Sequence, residues 1–111
     1  MLETPMGELL MQRIARIRLQ PYREWATRMI REWSKNEETS MLIVNLAHYY
    51  DRFTELEEEA KKAEMFIETG TGSMKRHPVF GMLDECQTKI IALSRKLNVE
   101  PDVVFDGEEY E

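Results

Sequence analysis

Apolar residues recur along this chain at steps of three and four, and short polar joints divide the recurrence into segments. Met6, Leu10, Ile14 and Ile17 mark one face of the first segment, with Arg13, Arg16 and Arg18 pointing in other directions. That spacing predicts an amphipathic helix over residues 6–19. Pro21 suits the first turn of a second helix, where a missing N–H has no helical partner to lose. Tyr22, Trp25, Ala26, Met29, Ile30 and Trp33 then mark one face, and Arg23, Arg28 and Arg31 lie largely off it. Trp25 and Trp33 share the stripe with Met29 and Ile30, so both are expected to anchor the core rather than stack on bases. The polar run "SKNEETS" reads as a joint. Thr39, Ser40 and Asn36 all qualify to cap the third helix, the last with Glu37 and Glu38 in the first turn. Leu42, Leu46, Tyr49, Phe53, Leu56, Ala60, Ala63 and Ile67 continue the helical step for about 26 residues, longer than an ordinary globular helix.

The pattern breaks at "ETGTGSMKRHPVFGMLDE", residues 68–85, and then resumes. Val79, Leu83, Cys86, Ile90, Leu93 and Leu97 make a second stripe of similar period. Two long stripes joined by a break predict an antiparallel helical hairpin. In the break, Gly70 and Gly72 permit positive φ, and Pro78 can open the returning helix. His77 is pushed toward extended geometry by the proline after it. Lys75, Arg76 and His77 put cations beside a helix N-terminus, where the dipole disfavours them. An acidic group nearby, such as one on a neighbouring subunit, would relieve that misfit. Asn98 can take the left-handed conformation that ends a helix, and Pro101 stops its continuation. No strand, internal repeat or low-complexity tract is predicted.

Composition sharpens this picture in one respect. The chain has 111 residues, enough for one modest domain whose core gains from association with other copies. Its formal net charge of −6 is unevenly distributed. Residues 1–36 carry seven Arg or Lys against four acids, and residues 37–111 carry eight against seventeen. A basic first third on an acidic remainder points to two different partners. It divides the chain into a basic helical region (1–36), a helical hairpin (37–100) and an acidic tail (101–111). No apolar run approaches the ~20 residues that span a bilayer. The start "MLETPMGELL" lacks the charged head and apolar stretch of a signal peptide, so an intracellular protein is expected.

Candidate chemistry is sparse. "GTGSMK" has its glycines one residue apart, whereas a phosphate-binding Walker loop needs four between them and a preceding strand. His48, Asp51 and Glu55 share a helix face, but a single Cys and two His do not make a zinc spacing. The serines have no elbow motif or spaced His/Asp pair. Cys86 sits in a helical stripe and is expected to be a buried free thiol. No catalytic residue, metal or cofactor is expected. The function classes left open are nucleic-acid binding and helical assembly.

The long acidic helix, then "ETGTGSMKRHP", then "MLDECQTKIIALSRKLNVEP", resembles the small terminase subunits of tailed bacteriophages. The matching positions are Gly70, Gly72, Lys75, His77, Pro78, Leu97, Val99 and Pro101. The similarity covers about residues 22–101 and is strongest over 64–101. Asn98 stands where family members usually carry glycine, a backbone geometry that Asn tolerates. The resemblance implies a non-catalytic subunit that forms a closed ring of about eight to twelve chains. It also implies recognition of the packaging start site on double-stranded viral DNA in the host cell cytoplasm. The large terminase subunit, with its ATPase and nuclease, would be the protein partner, and the acidic tail with Phe105 and Tyr110 is a candidate contact for it.

The fold expected is all-α: an N-terminal helical pair plus the long hairpin. The candidate DNA contacts are Arg13, Arg16, Arg18, Arg23, Arg28 and Arg31, with Lys35 beside them, since phosphate contacts dominate DNA affinity. The hairpin is expected to build the oligomer interface through Tyr49, Phe53, Leu56, Leu83, Ile90 and Leu93. Two other readings fit the same residues. One is a helical adaptor with no nucleic-acid role. The other is a small dimeric DNA-binding regulator.

Overall fold

The computed structural model describes residues 4–63, 66–68 and 74–101. Its body is four helices: α1 (Pro5–Ala15), α2 (Gln20–Glu32), α3 (Glu37–Lys62) and α4 (Pro78–Leu97). A short ribbon of β1 (Phe66–Glu68) and β2 (Met74–Arg76) lies between α3 and α4. The all-α expectation holds, with α1 and α2 as the helical pair and α3 and α4 as the hairpin. α3 packs against each of the other helices.

α1 starts at Thr4, whose Oγ1 accepts from the Gly7 amide at 3.0 Å, with Pro5 in the first turn. It ends at Ala15, sooner than the apolar spacing predicts. The last turn tightens, with Arg16 and Ile17 amides donating to the Arg13 and Ile14 carbonyls at 3.2 and 3.0 Å. The next two amides then leave the helix altogether. Asp51 of α3 accepts from the Arg18 N–H at 3.0 Å through Oδ2 and from the Leu19 N–H at 3.1 Å through Oδ1. Ile17 is therefore outside the helix yet still buried. α2 begins at this elbow without a side-chain cap from its own Leu19. Pro21 leaves one fewer backbone donor to satisfy there. The Arg23 guanidinium closes the elbow from the other side by donating to the Ile17 and Arg18 carbonyls.

Of the three cap candidates for α3, Asn36 fills the role, its Oδ1 accepting from the Thr39 amide at 2.7 Å. Ser40 is instead buried, bonded to the Asn36 carbonyl and the Ser34 hydroxyl. Glu37 and Glu38 at one end and Lys61 and Lys62 at the other complement the helix dipole. The helix stops at Lys62, and Ala63 is extended at φ −91° and ψ 146°. Ile67, whose spacing continues the α3 stripe, therefore lies in β1 rather than in the helix.

The core runs through all four helices. Leu10, Ile14 and Ile17 from the first segment meet Trp25, Ala26 and Ile30 of α2, Ile43 to Leu56 of α3, and Val79, Cys86, Ile90 and Leu97 of α4. Tyr50 is at its centre, with its ring edge-on to Trp25 at 5.2 Å and tilted against Tyr22 at 5.5 Å. Trp33 corrects the pattern: it is 42% exposed. It follows the last residue of α2, and its φ of −123° takes it off the helical register that would have carried it inward.

α4 is capped by His77, whose Nδ1 accepts from the Val79 amide at 3.1 Å, with Pro78 in the first turn. Asn98 closes it in the left-handed conformation, φ 56° and ψ 44°. The Asn98 and Val99 amides return to the Arg95 and Ser94 carbonyls at 3.2 and 3.0 Å, the paired bonds of a Schellman ending.

The break between the hairpin helices is more ordered than a plain loop. β1 and β2 pair antiparallel, with Phe66 opposite Arg76, Ile67 opposite Lys75 and Glu68 opposite Met74. Pairing lets backbone donors and acceptors satisfy one another where the chain reverses. Three-residue strands are too short to show alternation in sequence, which is why no strand is legible there. Gly70 and Gly72 lie outside the described residues. The Arg76 charge finds its carboxylate within the same chain, at Asp84 Oδ2, 3.2 Å away. Its guanidinium also sits 5.3 Å from the centre of the Phe80 ring. No neighbouring subunit is needed to balance it.

Replacing Asp51 by Ala is expected to lower the free energy of unfolding by about 2 kcal/mol, because two backbone amides lose a charged acceptor. Urea denaturation checks this. A loss within the scatter of ordinary surface substitutions would remove the elbow clamp as a stabilising element.

Candidate nucleic-acid interface

The six candidate arginines divide by what already occupies them. Arg23 is spent on the elbow carbonyls. Arg18 lies 3.9 Å from Asp51 Oδ1 and 3.8 Å from Glu55 Oε2, long pairs at a half-open surface that hold little energy. Arg13 donates through Nη2 to Asn45 Oδ1 at 2.8 Å, and its own carbonyl accepts from His48 Nε2 at 2.9 Å. Arg16, Arg28 and Arg31 are exposed and their side chains have no hydrogen bond or ion pair among the described residues, and the Lys35 side chain is likewise exposed and unpaired. Arg28 and Arg31 sit on the outer face of α2, where Glu24 and Glu32 line the same shallow surface. That face is mixed in charge rather than uniformly basic.

The face of α3 bearing His48, Asp51 and Glu55 has a structural use. His48 holds the end of α1, Asp51 holds the elbow, and Glu55 accepts from Arg52 at 2.8 Å. Among the described residues no group of three or more His, Cys, Asp or Glu is placed to hold a metal ion.

A second cationic surface is not visible in the charge count along the chain. A groove of about 700 Å³ lies where α1, α3 and α4 meet. Arg13 enters it from α1, Asn45, His48 and Arg52 from α3, and Lys89 and Lys96 from α4. Tyr49, Ala92 and Leu93 complete its lining, and no carboxylate is part of it. Four of its five basic residues come from the stretch of the chain that is acidic overall. Only the folded arrangement separates them from the glutamates around them. The one signal in the sequence was the seven-residue step between Lys89 and Lys96, which keeps both on one side of a helix.

The residues expected at an oligomer interface also divide. Phe53, Leu56 and Ile90 are buried within the single chain, while Tyr49, Leu83 and Leu93 are partly open. Two of those three, Tyr49 and Leu93, line the cationic groove. Leu83 instead lines a groove beside Phe80, Arg76 and Asp84. Among the described residues, Leu9, Met11, Trp33, Met41 and Met82 are the exposed large apolar ones. Phe105 and Tyr110 of the tail lie outside the described residues.

Cys86 is buried, with its Sγ–H donating to the Tyr49 carbonyl at 3.3 Å. Burial pushes its pKa from 9.0 up to about 11, with Arg52 pulling it down and Glu85 adding to the rise. At pH 8 its thiolate population is then ~100-fold below that of an open thiol. Labelling of Cys86 by a thiol reagent in the native protein is expected to be at least ~10-fold slower than labelling of free cysteine, since a more basic thiolate is also more nucleophilic. Rapid native labelling would contradict the burial.

No helix among the described residues is long and apolar enough to cross a membrane. No curated protein and no solved structure matches the chain. A family model described as phage terminase, small subunit, matches residues 20–102.

Proposed function

Since the chain belongs to the phage terminase small-subunit family and so serves phage DNA packaging, we propose that it binds double-stranded viral DNA at the packaging start site and regulates the large subunit without itself catalysing a reaction. The observation that carries this reading is the family match over residues 20–102. The exposed, unpaired Arg16, Arg28 and Arg31 support the DNA part, because phosphate contacts need cations not already neutralised within the protein. Arg18 and Arg23 have structural partners at the α1–α2 elbow and contribute mainly by shaping it, whereas Arg13 is turned toward Asn45 and away from the α2 arginines. The hairpin is the assembly element of this reading, and membership of the family supports a closed ring, which we take to hold about eight to twelve chains. The work takes place in the host cell cytoplasm, where packaging occurs. The acidic tail is the candidate contact for the large subunit.

Changing Arg16, Arg28 and Arg31 together to Gln is expected to weaken duplex DNA binding and to flatten the dependence of log affinity on log salt by about 2 to 3. Fluorescence anisotropy over a salt series measures both. Unchanged affinity and slope would remove these residues from the DNA interface.

Leu83→Asp, at a partly open hairpin position, is expected to give a lower native mass by light scattering with helix content retained. An oligomer of unaltered mass would count against the Leu83 face as an interface. Ile90→Asp is not a usable substitute, because Ile90 is wholly buried in the subunit's own core and the change is expected to unfold it.

A further inference from the structure

We propose that the groove between α1, α3 and α4 is a phosphodiester-binding track: it grips a stretch of one DNA backbone strand, separately from the arginines of α2. The proposal rests on the DNA-binding reading above and deepens it by naming a second site and the part of DNA it holds.

Three observations carry it. The first is charge without neutralisation. The charges of Arg13, Arg52, Lys89 and Lys96 converge on one concavity whose lining has no carboxylate, with His48 as a polar neighbour. Lys89 and Lys96 are exposed and unpaired among the described residues. Arg52 is the one member with a carboxylate partner, Glu55, which lies outside the lining. An exposed pair of this kind contributes little and leaves most of the guanidinium donors free for a ligand.

The second is preorganisation. Asn45 Oδ1 fixes the Arg13 guanidinium at 2.8 Å. The His48 ring donates through Nε2 to the Arg13 carbonyl at 2.9 Å, so ring and arginine are held in one arrangement before any ligand arrives. A carbonyl can only accept, which fixes Nε2 as the protonated nitrogen. Groups already ordered lose less freedom on binding.

The third is length. Asn45 to Arg52 on α3 and Lys89 to Lys96 on α4 each cover two helical turns, about 10.5 Å of rise. Phosphates on one strand advance about 3.4 Å along the axis but lie ~6–7 Å apart along the winding backbone, so the groove matches a run of about two to three. A single small anion would reach only part of it. An acidic protein partner fits the lining less well, since protein interfaces are depleted in charge at their centres whereas DNA interfaces are polar and strongly positive.

The test is anisotropy of a labelled duplex against the full chain, wild type and Lys89→Gln/Lys96→Gln, over a salt series, with native mass and helix content measured on the same samples. Both lysines are exposed, so the variant is expected to fold. The expected result is a drop of about 2 in the salt slope with native mass unchanged, and recovery of the slope in Lys89→Arg/Lys96→Arg. Four results would overturn it. An unchanged slope, when Arg28→Gln/Arg31→Gln does lower it, leaves the DNA-binding reading standing and removes the groove from it. A changed native mass with an unchanged slope makes the groove a contact between copies. Binding of an oligo-glutamate peptide that the lysine variant abolishes, with DNA binding unaltered, makes it a site for an acidic protein. Failure of the wild type to bind duplex DNA at all would remove both the groove proposal and the reading beneath it.

Discussion

The fold turns on one carboxylate. Asp51 projects from the middle of α3 and accepts two consecutive backbone amides from the elbow between α1 and α2. α2 has no cap of its own, so its N-terminal end depends on a group from another helix. A negative charge in that position also favours the positive end of the α2 dipole. Arg23 completes the joint from the opposite side, and His48, one turn before Asp51 on the same helix, holds the end of α1. Three polar side chains thus fix where the helical pair lies on the hairpin. Apolar packing then fills the space they define, with Tyr50 between Tyr22 and Trp25.

What the sequence reveals is mostly what local chemistry decides. Proline at a first turn, the left-handed Asn98 that ends α4 and most of the helical apolar step are properties of a few adjacent residues and appear where the pattern puts them, and Asn36 is the one of three cap candidates that α3 uses. The shortfalls have a common cause. One stripe per helix is legible, but α3 is packed by three other helices, and Ile43, Val44, Ala47 and Tyr50 form a further buried set that a single stripe omits. Trp33 follows the apolar step but falls just beyond the helix that would give the step meaning. Ile17 fails differently: it leaves the helix and is buried all the same, because the elbow turns it inward. The ribbon is too short to leave a periodic trace.

The same limit explains the cationic groove. A charge balance along the chain averages over neighbours in sequence, and the hairpin brings together residues some forty positions apart. Arg52 and Lys89 belong to a stretch rich in acids, yet helical geometry points the acids elsewhere. Conversely, the arginine-dense first third looks more basic in sequence than in the structure, where half its guanidinium groups already have partners on the protein. Electrostatic reach is a property of the surface, and only folding decides which charges remain available to it.

The length of α3 has a mechanical consequence. A 26-residue helix is about 39 Å long and, clamped near its middle, acts as a stiff lever. The elbow sits at the clamp, the basic groove lies beside it toward the N-terminal arm, and the β1–β2 ribbon lies beyond the other arm. A tilt of about 5° along its full length displaces one tip by ~3 Å relative to the other, close to the rise per base pair along a duplex axis. A rigid rotation of α3 too small to disturb its packing angle is thus, at the helix tip, a displacement of about one base-pair step.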